Sequence, residues 1–226
     1  TDPERLVGAV RRRYGEIALT AAGCCRSDSC CGPDTADVAA RRMGYDESAL
    51  AALPDGTNLG LGCGAPIALL ELEAGETVLD MGSGAGIDAL LAAREVGSNG
   101  RVIGVDMTPE MIARARANAQ RVGATNVTCV EGRLESLPIG DATVDAVTSN
   151  CVINLVPDKG AVLREVARVL RPGGRVVVAD IVLDGDLPPA LAKDLAAYVG
   201  CVAGAIERGR YFDLIAAAGL EKVEVV

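Results

Sequence analysis

The chain has 226 residues and a net charge of −9, and half of its residues are hydrophobic. It contains no histidine, no tryptophan, one phenylalanine and eight cysteines. These counts exclude a Ser-His-Asp triad, a Cys-His dyad and a histidine-ligated metal site built from this chain, so a metal or metalloid site has to use thiolates, carboxylates or backbone atoms.

The N-terminal part of the chain is predicted to be irregular. Its expected elements are a helix over residues 1–20, a loop over 21–37, short helices over 46–53 and 66–73, and a glycine-rich segment over 58–66. Leu6, Val10 and Tyr14 recur at the spacing of one helix face. The loop carries the cysteine pairs Cys24-Cys25 and Cys30-Cys31. Residues 1–70 are therefore predicted to form a cap that precedes the main domain.

From residue 76 onward, strand and helix patterns alternate. The predicted strands cover residues 77–81, 101–106, 127–131, 144–149, 174–181 and 222–226, and the predicted helices cover 86–97, 109–122, 158–170, 188–204 and 208–218. Strands rich in Val and Ile that alternate with helices are typical of an α/β fold with a doubly wound, mostly parallel sheet. Residues 71–226 are predicted to form this domain, and we expect its C-terminal part to be truncated because the chain stops within a predicted strand.

A glycine-rich turn at residues 82–86 follows the first predicted strand. In a doubly wound sheet, such a turn brings backbone N–H groups and a helix N-terminus to a ligand. The dinucleotide fingerprint Gly-x-Gly-x-x-Gly would need glycine at position 87, which is Ile87, so a nicotinamide cofactor is disfavoured. Asp80 would repel a pyrophosphate and suits a cationic group, such as the ammonium or sulfonium of S-adenosylmethionine. Asp106, which ends the second strand, can accept hydrogen bonds from ribose hydroxyls.

This pattern resembles the class I S-adenosylmethionine-dependent methyltransferases, which have a Rossmann-like fold, over residues 75–226. The cofactor-binding residues that the resemblance implies are, in chain order, Asp80, Gly82, Ser83, Gly84, Asp106, Met107, Leu134, Glu135 and Asn150. The first four would hold the methionine part, Asp106 the ribose, and the next three the adenine. A glycine turn without any ligand is the structural alternative, because loops also use glycine for its conformational freedom.

Three cysteines stand out by their positions. Cys151 directly follows the fourth predicted strand, where such sheets bind substrates, so we expect it to face the methyl donor. Cys201 lies in a predicted helix flanked by small residues, and Cys63 lies in the glycine-rich segment, so the three do not have the spacing of a zinc motif. A small buried hydrophobe is the alternative for Cys201 and, less readily, for Cys151, whereas core packing explains Cys63 poorly, because it lies beside glycines in a loop. A core role is the expectation for Cys129, inside a strand. Asp180, at the end of the fifth strand, either approaches the site or has a structural role.

Four segments are similar to the arsenite S-adenosylmethionine methyltransferases, namely residues 59–66, 104–111, 149–155 and 200–205. The resemblance runs through nearly the whole chain, and the Ser-Asn-Cys-Val-Ile-Asn-Leu sequence at 149–155 is its most specific part. It implies that Cys63, Cys151 and Cys201 bind trivalent arsenic and carry the catalysis. A further family cysteine with a redox role matches Cys30 or Cys31. The doubled pairs could also capture metalloid, bind zinc or form disulfides.

The resemblance implies transfer of a methyl group from S-adenosylmethionine to arsenic, as arsenite or its thiol conjugate, supported by a thiol reductant of the glutathione or thioredoxin type. Soft thiolates suit arsenic, and its lone pair needs no base before attack, which agrees with a chain that lacks histidine. The acidic charge and the lack of a long apolar run or a secretory signal predict no nucleic-acid partner, no membrane and a cytoplasmic location. Two alternatives stay open. One is a methyltransferase for another soft or carbon nucleophile, such as a sterol, quinone or selenium compound, and the other is a non-catalytic protein that binds metalloid or zinc through its thiols.

Overall fold

The centre of the fold is a five-stranded parallel sheet in the computed structural model, which describes residues 2–20 and 36–226. The strands are β1 (Thr77–Met81), β2 (Arg101–Asp106), β3 (Val127–Glu131), β4 (Val144–Asn150) and β5 (Leu170–Ala179). They lie in the order β3-β2-β1-β4-β5, and each neighbouring pair is parallel. Because the chain order reverses between β1 and β4, the carboxyl ends of these strands border the crevice in which such sheets bind ligands. The predicted doubly wound α/β fold is confirmed.

Helices cover the sheet and its carboxyl edge. Within the described residues they are α1 (Pro3–Thr20), α2 (Ala36–Arg42), α3 (Glu47–Ala51), α4 (Ile87–Glu95), α5 (Pro109–Arg121), α6 (Lys159–Val169), α7 (Pro189–Ala192), α8 (Leu195–Val199) and α9 (Arg208–Ala217). Two short 3-10 helices span Pro66–Leu69 and Ile153–Leu155. None of the helices in this part of the chain combines the length and the apolar character that crossing a bilayer requires.

The side chains of β1 alternate between two hydrophobic clusters. Leu79 and Met81 pack in a cluster that includes Val166 of α6, whereas Val78 packs in a cluster that includes Ala92 of α4. All of these side chains are fully buried, as expected for the central strand of a sheet covered on both faces. A shift by one residue would move each of them to the opposite face, so burial fixes the register of β1 and with it the position of Asp80.

The predicted strand over residues 222–226 is wrong. These residues have no strand partner within the described part of the chain, and Val225 and Val226 are exposed, so nothing buries the apolar side chains that indicated a strand. The fifth strand begins earlier than predicted, at Leu170, and its pairing with β4 shifts register between Val144 and Ala146. Arg171, Pro172, Gly173 and Gly174, which lie before the predicted start of this strand at residue 174 or at it, are thus accommodated within an irregular strand.

Two predicted helices are also shorter than expected. The helix predicted over 66–73 is only a single 3-10 turn, because the chain turns away at Glu71, whose backbone is left-handed with φ of 47°. The helix predicted over 188–204 is two short helices, because Asp194 starts a new helix by accepting the amides of Ala196 and Ala197. Cys201 therefore lies beyond α8 and not within a helix. Residues 21–35 of the predicted loop, with Cys24, Cys25, Cys30 and Cys31, lie outside the described residues, and its last two residues, 36 and 37, belong to α2.

Helix α1 covers the carboxyl edge of the sheet by packing on α5 and α8. Ile17 and Ala18 are buried against Met111 of α5, and Val10 belongs to the cluster that contains Cys151 and Cys201. A hydrogen bond of 2.6 Å from the Arg114 guanidinium to the carbonyl of Ala18 ties the end of α1 to α5. The N-terminal residues thus close over the crevice. The division into domains at residue 70 stays a prediction.

Candidate active site

A cleft open to solvent lies at the carboxyl ends of β1, β2 and β4 under the N-terminal residues, and its space, counted together with the part open to solvent, is about 1140 Å³. Its walls include every residue that the sequence assigned to the cofactor, namely Asp80, Gly82, Ser83, Gly84, Asp106, Met107, Leu134, Glu135 and Asn150. Cys151 lines the same cleft, so the predicted cofactor residues and one predicted arsenic ligand share one cavity.

The glycine turn after β1 is held against β2. The amides of Gly82 and Ser83 both donate to the carbonyl of Val105, at 2.8 and 3.1 Å. Gly82 has a left-handed backbone with φ of 68°, and a Cβ there would collide with the side chain of Val152. Only glycine fits this position, because both its backbone conformation and the close approach of Val152 exclude a side chain.

Asp80 presents an uncompensated carboxylate to the cleft. It is 2 % exposed, and its Oδ2 atom has no hydrogen-bond partner among the described residues. Burial, followed by the nearby Asp88 carboxylate, raises the pKa of Asp80 well above its usual value. A buried acid with an open oxygen favours a ligand that brings a positive charge, which is what the ammonium group of S-adenosylmethionine offers.

Asp106 joins the glycine turn to α5. Its Oδ2 accepts the amide of Gly84 at 3.0 Å, and its Oδ1 accepts the amide of Thr108 at 2.8 Å. Burial raises the pKa of Asp106, and the hydrogen bonds from these amides act in the opposite direction. The carboxylate is therefore oriented at the mouth of the cleft beside Met107, as the ribose-binding role of an acid after the second strand requires.

A buried network of Tyr45, Asp88 and Asn150 underlies the cleft. The Tyr45 hydroxyl donates to Asp88 Oδ1 at 2.8 Å, and Asn150 Nδ2 lies 2.9 Å from that hydroxyl and 3.0 Å from Asp88 Oδ2. Asn150 also holds the glycine-rich segment, because its Nδ2 donates to the Gly64 carbonyl at 2.8 Å and its Oδ1 accepts the Cys63 amide at 2.9 Å. The pKa of Asp88 rises to about 6 because of its burial, against the effect of hydrogen bonds from Asn150 and Tyr45.

Cys63 and Cys151 are brought together as a disulfide, with their Cα atoms 5.6 Å apart. The amide of Cys151 donates to the carbonyl of Ala179 at 2.8 Å, which fixes the residue beside the end of β5. Cys151 has a left-handed backbone with φ of 59°, a conformation that costs a non-glycine residue of order 1–3 kcal/mol and that clusters at functional sites. The structure therefore assembles two of the three predicted arsenic ligands.

Cys201 lies next to this pair. Its Sγ atom is 3.0 Å from the carbonyl oxygen of Cys151, and its backbone is also left-handed, with φ of 65°. The hydroxyl of Tyr14 from α1 donates to the carbonyl of Val199 at 3.5 Å and acts to lower the pKa of the Cys201 thiol. Burial, followed by the charge of Asp180, raises the pKa of the Cys201 thiol to about 11. The free Cys129 is buried in β3, as predicted for a core residue.

Asp180 and Lys159 are ionisable groups close to the cysteines that act on each other's pKa. An Asp180 carboxylate oxygen and the sulfurs of Cys63 and Cys151 all lie within 4.8 Å of one another. Burial raises the pKa of Asp180 to about 7, while the Lys159 ammonium acts to lower it. Burial lowers the pKa of Lys159 to about 8, and its ammonium donates to the carbonyl of Val156 at 3.1 Å.

The sequence profile described as a methyltransferase domain matches residues 72–219. The chain belongs to this methyltransferase family. This methyltransferase is similar to an arsenite methyltransferase of Halobacterium salinarum, with 45% identity over 99% of this chain and 59% of that protein. It is also 46% identical to an arsenite methyltransferase of Aquipseudomonas alcaligenes over 64% of this chain and 43% of that protein.

A solved structure with the same fold is the arsenic(III) S-adenosylmethionine methyltransferase of Chlamydomonas reinhardtii. The TM-score is 0.62 at 34% identity, and the match covers 83% of this chain and 62% of that one. This chain thus spans less than two thirds of the length of each of these relatives. The resemblance to arsenite methyltransferases is confirmed, and the family supports S-adenosylmethionine as the cofactor.

Sequence reasoning missed two polar residues of the site, Tyr45 and Asp88, and left the role of Asp180 open. Asp88 is an acid in the first turn of a helix that is otherwise almost entirely buried, which was a usable signal. Tyr45 gave no such signal, because it lies just after α2 in a segment without a clear pattern. The assignments of individual residues to cofactor and arsenic stay predictions.

Proposed function

We propose that the protein is an arsenite methyltransferase, which moves a methyl group from S-adenosylmethionine to trivalent arsenic bound by Cys63, Cys151 and Cys201. One observation carries the proposal: Cys151 lines the same cleft as Asp80 and Asp106, so the bonded cysteine pair Cys63–Cys151 adjoins the cofactor pocket. The names of the relatives described above support the same activity.

The lining of the cleft fits S-adenosylmethionine. Asp80 would receive the ammonium group at its open carboxylate oxygen, Asp106 the ribose hydroxyls, and Leu134 the adenine. The remaining residues proposed for this pocket are Gly82, Ser83, Gly84, Met107, Glu135 and Asn150. When bound there, the cofactor supplies an electrophilic methyl group on a sulfonium sulfur.

Arsenic binding requires Cys63 and Cys151 as free thiols, and these residues form a disulfide. A thiol reductant of the glutathione or thioredoxin type would open it: two reductant thiols become a disulfide, and each cysteine gains a hydrogen. Arsenous acid then exchanges its hydroxyl groups for cysteine sulfurs and releases water. Cys30 or Cys31 is proposed for the redox role that the family assigns to a cysteine in this region.

The protein's main contribution to the rate is positioning. When two reactants are held in near-attack geometry, the activation free energy can be roughly 7–11 kcal/mol lower than for reactants that must meet in solution. The thiols would orient the arsenic lone pair toward the cleft, and the strained backbones of Cys151 and Cys201 fix the direction of two of them. Because no proton has to leave the nucleophile, the reaction needs no histidine.

We propose a cytoplasmic location, because a reducing compartment keeps these thiols available. The proposed substrate is arsenite or its thiol conjugate. With a net charge of −9, the chain is a poor partner for nucleic acid or an anionic membrane, and neither is proposed.

The test compares Cys201→Ser with the matched control Cys129→Ser, in which another buried cysteine that does not line the cleft is changed. Reduced protein receives arsenite and isotope-labelled S-adenosylmethionine, and methylated arsenic is quantified by chromatography with elemental detection. We expect Cys201→Ser to lose arsenic methylation and Cys129→Ser to retain it, with cofactor binding by calorimetry unchanged in both. Methylation that survives in Cys201→Ser contradicts the arsenic site.

The same measurements separate the alternatives. A methyltransferase for a carbon or other soft nucleophile binds S-adenosylmethionine and forms no methylated arsenic. A non-catalytic thiol protein binds arsenite and no cofactor. An Asp80→Ala variant that binds the cofactor as tightly as the unchanged protein would contradict the proposed ammonium site.

A further inference from the structure

A cluster of two sulfurs and one carboxylate lies at the ends of neighbouring strands. Cys151 follows β4 and Asp180 follows β5, and the last residues of these strands, Asn150 and Ala179, are paired in the sheet. Cys63 reaches the same point from the N-terminal side and is bonded to Cys151. A carboxylate oxygen of Asp180 and both sulfurs lie within 4.8 Å of one another.

The Asp180 carboxylate is buried without a close hydrogen bond. Neither carboxylate oxygen makes a hydrogen bond of normal geometry to the residues described, and both atoms are buried. Burial raises its pKa, and the Lys159 ammonium, the backbone of Ile153 and Asn154 and the Tyr211 hydroxyl lie close enough to act to lower it. A buried carboxylate without hydrogen bonds is costly, which favours a ligand that binds it. The arsenic site proposed above uses thiols and leaves this carboxylate unused.

We propose that, once the disulfide is reduced, Cys63, Cys151 and Asp180 form a binding site for a zinc ion. Thiolate and carboxylate are both zinc ligands, with metal–ligand distances of about 2.3 Å for sulfur and about 2.0–2.2 Å for oxygen, so the ligand atoms of a tetrahedral site lie roughly 3.5–4 Å apart. The Asp180 oxygen and both sulfurs lie within 4.8 Å of one another, and the sulfurs, now bonded to each other, have to separate to ligand spacing when the disulfide is reduced. Solvent takes the fourth position. The ion displaces the two thiol protons and changes no oxidation state, and the thiol reductant needed is the one already named.

The charges favour a divalent cation. Two thiolates and a carboxylate leave one negative charge when zinc is bound, and the buried Lys159 ammonium is close enough to Asp180 to offset it. Zinc would share Cys63 and Cys151 with arsenite, but it would use Asp180 where arsenic uses Cys201. Zinc is therefore expected to compete with arsenite. The competition rests on the proposed function, whereas the binding of zinc does not.

Zinc binding is measured by calorimetry with zinc alone, on protein reduced and then freed of reductant without air. The background protein has Cys24, Cys25, Cys30 and Cys31 replaced by serine, so that the N-terminal pairs cannot hold the ion. Asp180→Asn is added to this background as the test and Cys201→Ser as the matched control. We expect one zinc per chain, an affinity lowered by about tenfold or more in Asp180→Asn, and an affinity in Cys201→Ser close to that of the background protein.

Cobalt provides a second readout, because thiolate-to-cobalt charge-transfer bands report sulfur ligands directly. These bands are expected in the background protein and should weaken in Cys63→Ser. Cys63 is a half-buried loop residue, so this variant can still test the site if Asp180→Asn fails to fold. The proposal is overturned if the background protein binds no zinc, if Asp180→Asn binds zinc unchanged, or if Cys201→Ser loses zinc instead. Zinc binding in a protein that does not methylate arsenite leaves this site intact and contradicts only the proposed function.

Discussion

Replacement of Asn150 by alanine tests whether this side chain holds the Cys63 segment over the cofactor cleft. The amide group makes contacts of 2.8 to 3.0 Å with the Cys63 amide, the Gly64 carbonyl, the Tyr45 hydroxyl and the Asp88 carboxylate. An unmade hydrogen bond of a partly buried group costs about 1 kcal/mol, so the loss of these contacts should lower the free energy of unfolding by about 3–4 kcal/mol.

The effect should also depend on pH in a defined direction. The hydrogen bond from Asn150 lowers the pKa of Asp88, which burial raises to about 6. Without it, the pKa of Asp88 in the folded state rises further above the unfolded value. Such an acid binds more protons when folded, so stability falls as pH rises through the interval between the two pKa values. The destabilisation by Asn150→Ala should therefore be larger at about pH 8 than at about pH 5.

Denaturant unfolding at the two pH values gives the stability, and hydrogen exchange gives the protection of the Cys63 amide. The matched control is Asn126→Ala, which removes two amide hydrogen bonds to the carbonyls of Ala93 and Gly97 away from the cleft. We expect faster exchange at Cys63 in Asn150→Ala and unchanged exchange there in Asn126→Ala. Equal loss of stability in both variants, with Cys63 exchange unchanged, would refute the anchoring role of Asn150.

Three further predictions concern the cleft and the cysteines. A Cβ at Gly204 would collide with the carbonyl oxygen of Asn154, so Gly204→Ala should displace the Cys201 loop and weaken arsenite binding while cofactor binding persists; equal arsenite titrations in both proteins would contradict this. Asp106→Asn keeps the shape of the side chain but removes the negative charge of the carboxylate that accepts hydrogen bonds from the ribose hydroxyls. Calorimetry should therefore show cofactor binding weakened by about tenfold, a loss of about 1.4 kcal/mol. An unchanged affinity would contradict the ribose-binding role of Asp106. Asp180 has its pKa raised to about 7 in the folded state, so its ionisation costs stability as pH rises from about 4 to about 7, and Asp180→Asn should gain up to about 4 kcal/mol over the unchanged protein by the upper pH. If the difference in free energy of unfolding between Asp180→Asn and the unchanged protein does not increase with pH, the result would contradict the burial of Asp180.

The strands of the sheet could be predicted from sequence because burial and turn residues define them locally. The bounds of β1, β2 and β3 agree with the prediction at both ends, since each is a short run of apolar residues bordered by a glycine turn or an acid. The strand predicted over residues 222–226 was wrong because local sequence was the only basis for it. The residues of the 222–226 segment have strand composition, but a strand also needs a partner, which composition does not reveal.

The cleft could be predicted from topology, because the glycine turn, Asp80 and Asp106 follow directly from the strand order. The contacts between the cysteines could not. Cys63 and Cys151 are separated by 88 positions, and their approach depends on how the N-terminal residues fold back over the sheet. Asp180 and Asp88 join the site only through the pairing of β4 with β5 and the burial of α4. Family resemblance supplied the cysteine assignments that local patterns could not.

The central claim, that arsenic is bound by sulfur beside the cofactor cleft, is tested most directly by X-ray absorption at the arsenic edge on the reduced protein with arsenite. We predict sulfur neighbours from Cys63, Cys151 and Cys201 and no oxygen neighbour in the unchanged protein. One sulfur should be replaced by oxygen in Cys201→Ser and none in Cys129→Ser. Oxygen neighbours in the unchanged protein, or a spectrum that Cys201→Ser does not alter, would contradict the account.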